Sequence, residues 1–124
     1  MIDFKDASFL RLEPASDSDF SEMISPMFIP GEKIIQSFRC SKDGVVFTNK
    51  RIFAINVQGI GGKRRDFTSL RYSAIQAFSI GTLGVPDYDS QLVLWFTGMG
   101  QLTFGCMAYE NATRICQIIS ANIL

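Results

Sequence analysis

A chain of 124 residues, 47% apolar and only 19% charged, is long enough for one domain with a sizeable core and too short for two. It contains no histidine, which removes the Ser-His and Cys-His nucleophile pairs, the HExxH zinc site and the commonest general base. Twelve basic groups balance twelve acidic ones, so no overall basic charge favours nucleic acid, while charge density below the ~25% usual for soluble domains leaves apolar surface for a partner, including a second copy.

The opening "MIDFKDASFL" has no basic segment followed by an apolar run, and a cytoplasmic protein is expected. Cys40, Cys106 and Cys116 are odd in number and not spaced as metal ligands; reduced thiols acting as small hydrophobes are expected, with no metal or other cofactor. Residues 1–30 read as an arm with one short helix over 19–25, from Asp19 with Glu22 as a weak capping box to Pro26 as the stop. The arm leads through "MFIPGEK" into the first strand.

From residue 33 the chain alternates short β-rich runs with turn signals every 8 to 12 residues, the pattern of an all-β sandwich or barrel. The seven predicted strands are 33–40, 44–48, 51–57, 63–70, 74–82, 90–97 and 101–106. Phe53, Ile55 and Val57 share one face of the third. In the sixth, Leu92, Leu94 and Phe96 share one face, while Val93 and Trp95 make the other face apolar too. That strand is expected to be covered on both sides, by a helix, a loop or another subunit. The last segment changes period: Ala108, Ala112, Ile115, Ile119 and Ile123 form the stripe of an amphipathic helix, with Asn111, Arg114 and Gln117 off it.

Charge is uneven along the chain. Two basic groups face six acidic ones in residues 1–31, for a net of −4; nine face three in 32–71, for +6; the remainder carries −2. The basic middle contains "VQGIGGKRRDF", three glycines ahead of Lys63, Arg64 and Arg65. A Walker A loop taking Gly62-Lys63 as its pair needs glycine at Val57 and a hydroxyl at Arg64. A GxGxxG loop from Gly59 and Gly61 needs glycine at Arg64. Both fail, and the next segment reads as a strand and not as a phosphate-facing helix. The stretch is therefore a hairpin turn whose glycines supply positive φ. Lys50, Arg51, Lys63, Arg64 and Arg65 remain the candidate anionic-ligand patch, brought together only if the hairpin ends curl toward each other. Asp87 and Asp89 do not make a calcium loop, because Gln91 and Leu92 stand where an acidic residue and glycine are needed; a solvated turn is expected there.

At "PGEKIIQSFRCSKDGVVFTNKRIFAINVQGIGGKRRDF" followed by "YSAI", the sequence resembles the bacterial pleckstrin-homology (PH) domains. The elements carrying the resemblance are Gly31-Glu32, the run Phe47 to Arg51, Gln58-Gly59 with Gly62-Lys63, then Tyr72, Ile75, Asp87 with Asp89, and Trp95. The resemblance implies a PH-like fold of mainly β class, a seven-stranded antiparallel barrel or sandwich capped by a C-terminal α-helix over 31–124. It also implies ring-like homo-oligomers and no catalytic activity. The chain departs from the family's usual residues with Arg71 before Tyr72, Gly81 in the fifth strand, and Gln91 and Val93 in the Trp strand. Gln91, Val93, Trp95, Arg71 and Tyr72 are the candidate oligomer interface. Many eukaryotic PH domains grip phosphoinositides around a long first loop, but here that loop is only "SKDG" with Lys42 as its cation. The expected function is a non-enzymatic scaffold module that binds itself and docks a further protein or peptide. The alternative is a peripheral binder of anionic membrane surface or phosphate.

Overall fold

The structure, a computed structural model, describes residue 2, residues 7–85 and residues 88–123, with only the backbone at 84, 85 and 88. One eight-stranded sheet curls into a half-barrel. In chain order the strands are β1 (Ala7–Ala15), β2 (Ile34–Cys40), β3 (Asp43–Thr48), β4 (Arg51–Gln58), β5 (Arg64–Arg71), β6 (Ile75–Val85), β7 (Tyr88–Phe96) and β8 (Gly100–Cys106). Their spatial order is β5-β4-β3-β2-β1-β8-β7-β6. The seven strands read from sequence each stand within a few residues of their expected bounds. Two helices complete the fold, α1 (Ser21–Ile24) and α2 (Tyr109–Ile123). Among the described residues no helix is long and apolar enough to cross a membrane.

The eighth strand, β1, lies inside the stretch read as an arm. It pairs antiparallel with β2 through Glu13–Ala15 and parallel with β8 from Ala7 to Leu12, the one parallel contact among the described residues. Its period-2 signal is broken by a bulge between Phe9 and Leu12, where Arg11 takes φ 62°. Phe9 and Leu12, both fully buried, are thus three residues apart instead of two. The Cys40 thiol donates to the Leu10 carbonyl at 2.6 Å and fixes β2 beside this bulge.

The main core lies inside the curl. Phe9, Phe38, Phe47, Leu92, Leu94 and Phe104 fill it, with aromatic pairs at ring separations of about 6 Å. α2 closes it with Ala112, Ile115, Ile118 and Ile119, while Arg114 and Gln117 face water. Of the expected stripe, Ala112, Ile115 and Ile119 are buried, Ile123 is half-buried and Ala108 precedes the helix, while Ile118 joins the buried face. Each buried isoleucine contributes roughly 1.5–3 kcal/mol of transfer free energy.

A second core lies on the outer face of β3 and β4. Val46, Phe53 and Ile55 are buried there under Phe20 and Ile24, with Val57, Met23 and Phe28 packed around them. The arm that supplies this cover is a 3-10 turn at Asp17–Asp19, then α1, then a second 3-10 turn at Ser25–Met27. The cap is not the expected Asp19 and Glu22 box: the Ser16 side chain caps the first turn by accepting from the Ser18 N–H. The tip of the Phe20 ring points at Gly44, where a Cβ would fall closer than 3.0 Å to three of its ring atoms. Within the single chain, two-sided cover goes to β3 and β4, while β7, expected to be covered by a helix, a loop or another subunit, keeps Val93 half-exposed and Trp95 38% exposed.

Candidate functional site

β2 to β5 form a meander of antiparallel hairpins. In a meander alternate turns fall at the same end, so the β2–β3 and β4–β5 turns are neighbours and the β3–β4 turn is at the far end. The register agrees: Arg51 opposes Arg71, while Gln58 opposes Arg64 and Val57 opposes Arg65. From Arg51 to Gln58 the strand advances roughly 23 Å. The five candidate basic residues are thus divided. Lys50 and Arg51 sit at one end, Lys63, Arg64 and Arg65 at the other.

At the far end Arg51 is committed to the fold. Its guanidinium donates to both oxygens of Glu32, Nη2 to Oε1 at 2.7 Å and Nε to Oε2 at 3.0 Å, and also to the Met27 carbonyl at 2.8 Å and Ser69 Oγ at 3.3 Å. It stacks 4.6 Å from the Phe53 ring centroid. The Glu32 side chain is fully buried and accepts further from Thr48 Oγ1 and the Ile29 N–H. The Arg51 bond outweighs the desolvation of Glu32 and pulls its carboxyl down to about 2. Asn49 bridges the Gly31 carbonyl and the Lys33 N–H, at 3.0 and 2.7 Å. Tyr72 is buried and donates to the Thr48 carbonyl at 2.6 Å, and burial holds its phenol well above the ordinary range. The run Thr48-Asn49-Lys50-Arg51 and the pair Gly31-Glu32, which carry the family resemblance, therefore lock the entry of β2 to the β3–β4 turn. Tyr72 belongs to this lock, and no surface contact is available to it in the single chain. Arg71 is exposed on β5.

At the other end Gly59, Gly61 and Gly62 all have positive φ, as the hairpin turn requires. Beside them opens a cleft of about 390 Å³ that brings Arg65 together with Arg39, Ser41 and Lys42. No acidic side chain lines it, although Arg39 is paired to Asp19 at 3.2 Å. Sequence reasoning missed Arg39 and Lys42 as partners of Arg65; the parity of the meander turns was the signal that could have found them. Ile60 projects from the same turn, 93% exposed.

On the outer face of β7, Gln91, Val93 and Trp95 are in register with Gly81, Ser79 and Ala77 of β6 on one side. On the other they are in register with Gly105, Thr103 and Gln101 of β8. None of these nine residues is charged, and Trp95 is the one large side chain among them.

Proton-transfer groups are scarce. Burial pushes the Cys106 thiol up to about 12 and raises Cys40 and Cys116 as well, so all three are protonated and poor nucleophiles at neutral pH. Among the described residues no group of three Cys, Asp or Glu side chains gathers as a metal site would require. Asp87, half of the acidic pair in the sequence, lies outside the described residues.

A profile of the family described as Bacterial PH domain matches residues 3–123. The chain is 37% identical over 83 residues to the uncharacterized protein YjqA of Bacillus subtilis strain 168, a stretch that covers 67% of this chain and 66% of that protein. Its fold is similar to the crystal structure of a protein with a pleckstrin-homology domain from Shewanella loihica PV-4 (TM-score 0.79, 27% identity, covering 93% of this chain and 99% of that one). It is also similar to a pleckstrin-homology domain from Shewanella amazonensis SB2B (TM-score 0.69, 28% identity, 89% and 90%). A PH domain-containing protein from Exiguobacterium sibiricum 255-15 shares the fold at TM-score 0.63 with 17% identity, covering 91% of this chain and 60% of that one.

Proposed function

The chain belongs to the bacterial PH domain family, and from that premise we propose that it is a non-catalytic, cytoplasmic module whose role is to assemble with copies of itself. The observation that carries this reading is the uncharged stretch of the outer face of β6, β7 and β8 between Gln91 and Trp95, where Trp95 stays 38% exposed among the described residues. An exposed Trp on a flat, uncharged sheet is the kind of residue that anchors interfaces. Gln91 and Val93 extend the contact. Of the two other residues named with them, Arg71 would lie at its margin and Tyr72 would support it from inside. A contact between this face and a different patch on the next copy repeats by rotation and closes into a ring. Three unpaired thiols suit a reducing compartment.

Trp95 is the sole tryptophan, so the protein reports on its own interface. On dilution from high to low micromolar concentration its emission is expected to move to longer wavelength as the indole becomes solvated. An emission maximum that stays at the solvated position at every concentration would remove Trp95 from any interface.

A second reading, peripheral binding to an anionic membrane surface, is favoured by one observation: the cleft that gathers Arg39, Lys42 and Arg65 beside the projecting Ile60. Phosphate oxygens would enter the cleft, and Ile60 would reach the apolar boundary below the headgroups. Lys63 and Arg64 would add long-range attraction, whereas Lys50 and Arg51 stand at the wrong end. At about 1 kcal/mol per basic residue near such a surface, Lys42→Glu with Arg65→Glu is expected to weaken sedimentation with phosphatidylserine vesicles by about tenfold or more. Binding that ignores both this change and added salt would eliminate the reading.

A further inference from the structure

The acidic arm and the basic middle of the chain meet in the fold. The arm packs on the outer face of β3 and β4 through Phe20 and Ile24. There it borders the cleft that gathers Arg39, Lys42 and Arg65, and Met23 of α1 forms part of the cleft wall. From the same arm the Asp19 carboxylate reaches the Arg39 guanidinium at 3.2 Å. One of the three cations of the cleft is thus engaged by a carboxylate of the chain itself.

Asp19 is held in that place by the elements around it. Its turn is capped by the Ser16 side chain and tied to β2 by the Ser37 hydroxyl, which donates to Asp17 at 3.3 Å. The next residue is Phe20, buried in the outer core with the Arg39 guanidinium 5.7 Å from its ring centroid. The pair itself stands partly in water, with its side chains 51% and 31% exposed. Such a pair contributes little to stability. It is therefore readily exchanged: a phosphate oxygen arriving at Arg39 replaces one weak contact with another of the same kind.

We propose that Asp19 is an internal competitor for the cleft, an autoinhibitory contact that occupies Arg39 until a densely anionic membrane surface displaces it. The inference rests on the membrane reading and deepens it by naming the residue that sets its threshold. A single small anion gains little by the exchange at Arg39. A membrane rich in anionic headgroups presents several negative groups at once, to Arg39, Lys42 and Arg65 together and to Lys63 and Arg64 beside them, and the sum favours displacement. A built-in repulsive charge of this kind discriminates against the weaker partner, here a sparsely charged membrane, while the stronger one still binds.

The test is sedimentation with phosphatidylcholine vesicles carrying a rising share of phosphatidylserine. Asp19→Asn keeps the backbone bond from the residue 19 N–H to the Ser16 carbonyl and frees Arg39. It is expected to bind about fivefold more tightly at a given phosphatidylserine share, the worth of one basic residue near such a surface, and to reach half-binding at a lower share. Glu22→Gln removes the same charge from an exposed position on α1 and is expected to gain less. In an Arg39→Gln background, Asp19→Asn is expected to gain no more than Glu22→Gln does, because the cation it would free is gone. An equal gain from Asp19→Asn with and without Arg39, or from Asp19→Asn and Glu22→Gln alike, would reduce the effect to overall charge; it would overturn the competitor and leave the membrane reading standing. Wild type and Asp19→Asn that both stay in the supernatant at every phosphatidylserine share would overturn both.

Discussion

Arg51→Ala is expected to destabilise the fold by about 3–5 kcal/mol, because it leaves the fully buried Glu32 carboxylate without its countercharge. The loss is larger than for a surface pair, since two charge-assisted bonds at 2.7 and 3.0 Å go at once and the Met27 carbonyl loses its donor too. Chemical denaturation of the two proteins measures it. A change below about 1 kcal/mol, the range of exposed pairs, would mean that the lock between the β2 entry and the β3–β4 turn contributes little. The same pair sets an acid limit. The Glu32 carboxyl is held at about 2 in the folded chain against an ordinary 4.5. Its contribution is therefore complete above pH 4.5 and is lost as pH falls from there toward 2, a total of about 3 kcal/mol. In Arg51→Ala this part of the acid dependence is expected to shrink, because the group that depresses Glu32 most is gone.

Phe20→Ala carries an expected cost of similar size, about 3–5 kcal/mol, the range for removing a buried phenylalanine. Phe20 is the ring through which the arm holds the outer face of β3 and β4: it covers Gly44, packs with Val46 and Phe53, and lies 5.7 Å from the Arg39 guanidinium. The contact with Gly44 makes the prediction specific. Gly44→Ala alone is expected to cost about 1–3 kcal/mol by crowding the ring, and to cost much less in the Phe20→Ala background, where the ring is absent. A double-mutant cycle measures that coupling. Additive effects would mean that the arm is not held through this contact.

These two sites mark what the sequence made legible and what it hid. Alternation placed Phe53 and Ile55 correctly on one face of their strand, since that pattern depends only on the pleat. It could not say that the face looked outward, because an outer face under an arm and an inner face under a barrel have the same alternation. Glu32 looked like an ordinary charge before a strand. Its burial depends on Arg51, nineteen residues away, and only the fold shows that distance closed. β1 was hidden by its bulge at Leu10 and Arg11, which moved two core residues out of period. The α2 stripe was readable because its apolar face meets a single neighbour, the inside of the curl. The basic patch failed for a geometric reason: residues grouped by sequence were split by the length of one strand, while Arg39, Lys42 and Arg65, far apart in the chain, met where alternate turns meet.

The surface of β7 decides the rest. A 38% exposed Trp in a row without charge is stable in water but gains free energy when covered, and truncating such an anchor commonly costs an interface 2 kcal/mol or more, about thirtyfold in affinity. The direct measurement is mass in solution by light scattering, for the wild-type chain and for Trp95→Glu, at micromolar concentration. Assembly through this face predicts a wild-type mass several times the 13.8 kDa of one chain and a much smaller one for the variant. A wild-type mass of 13.8 kDa, or a variant as large as the wild type, would contradict it.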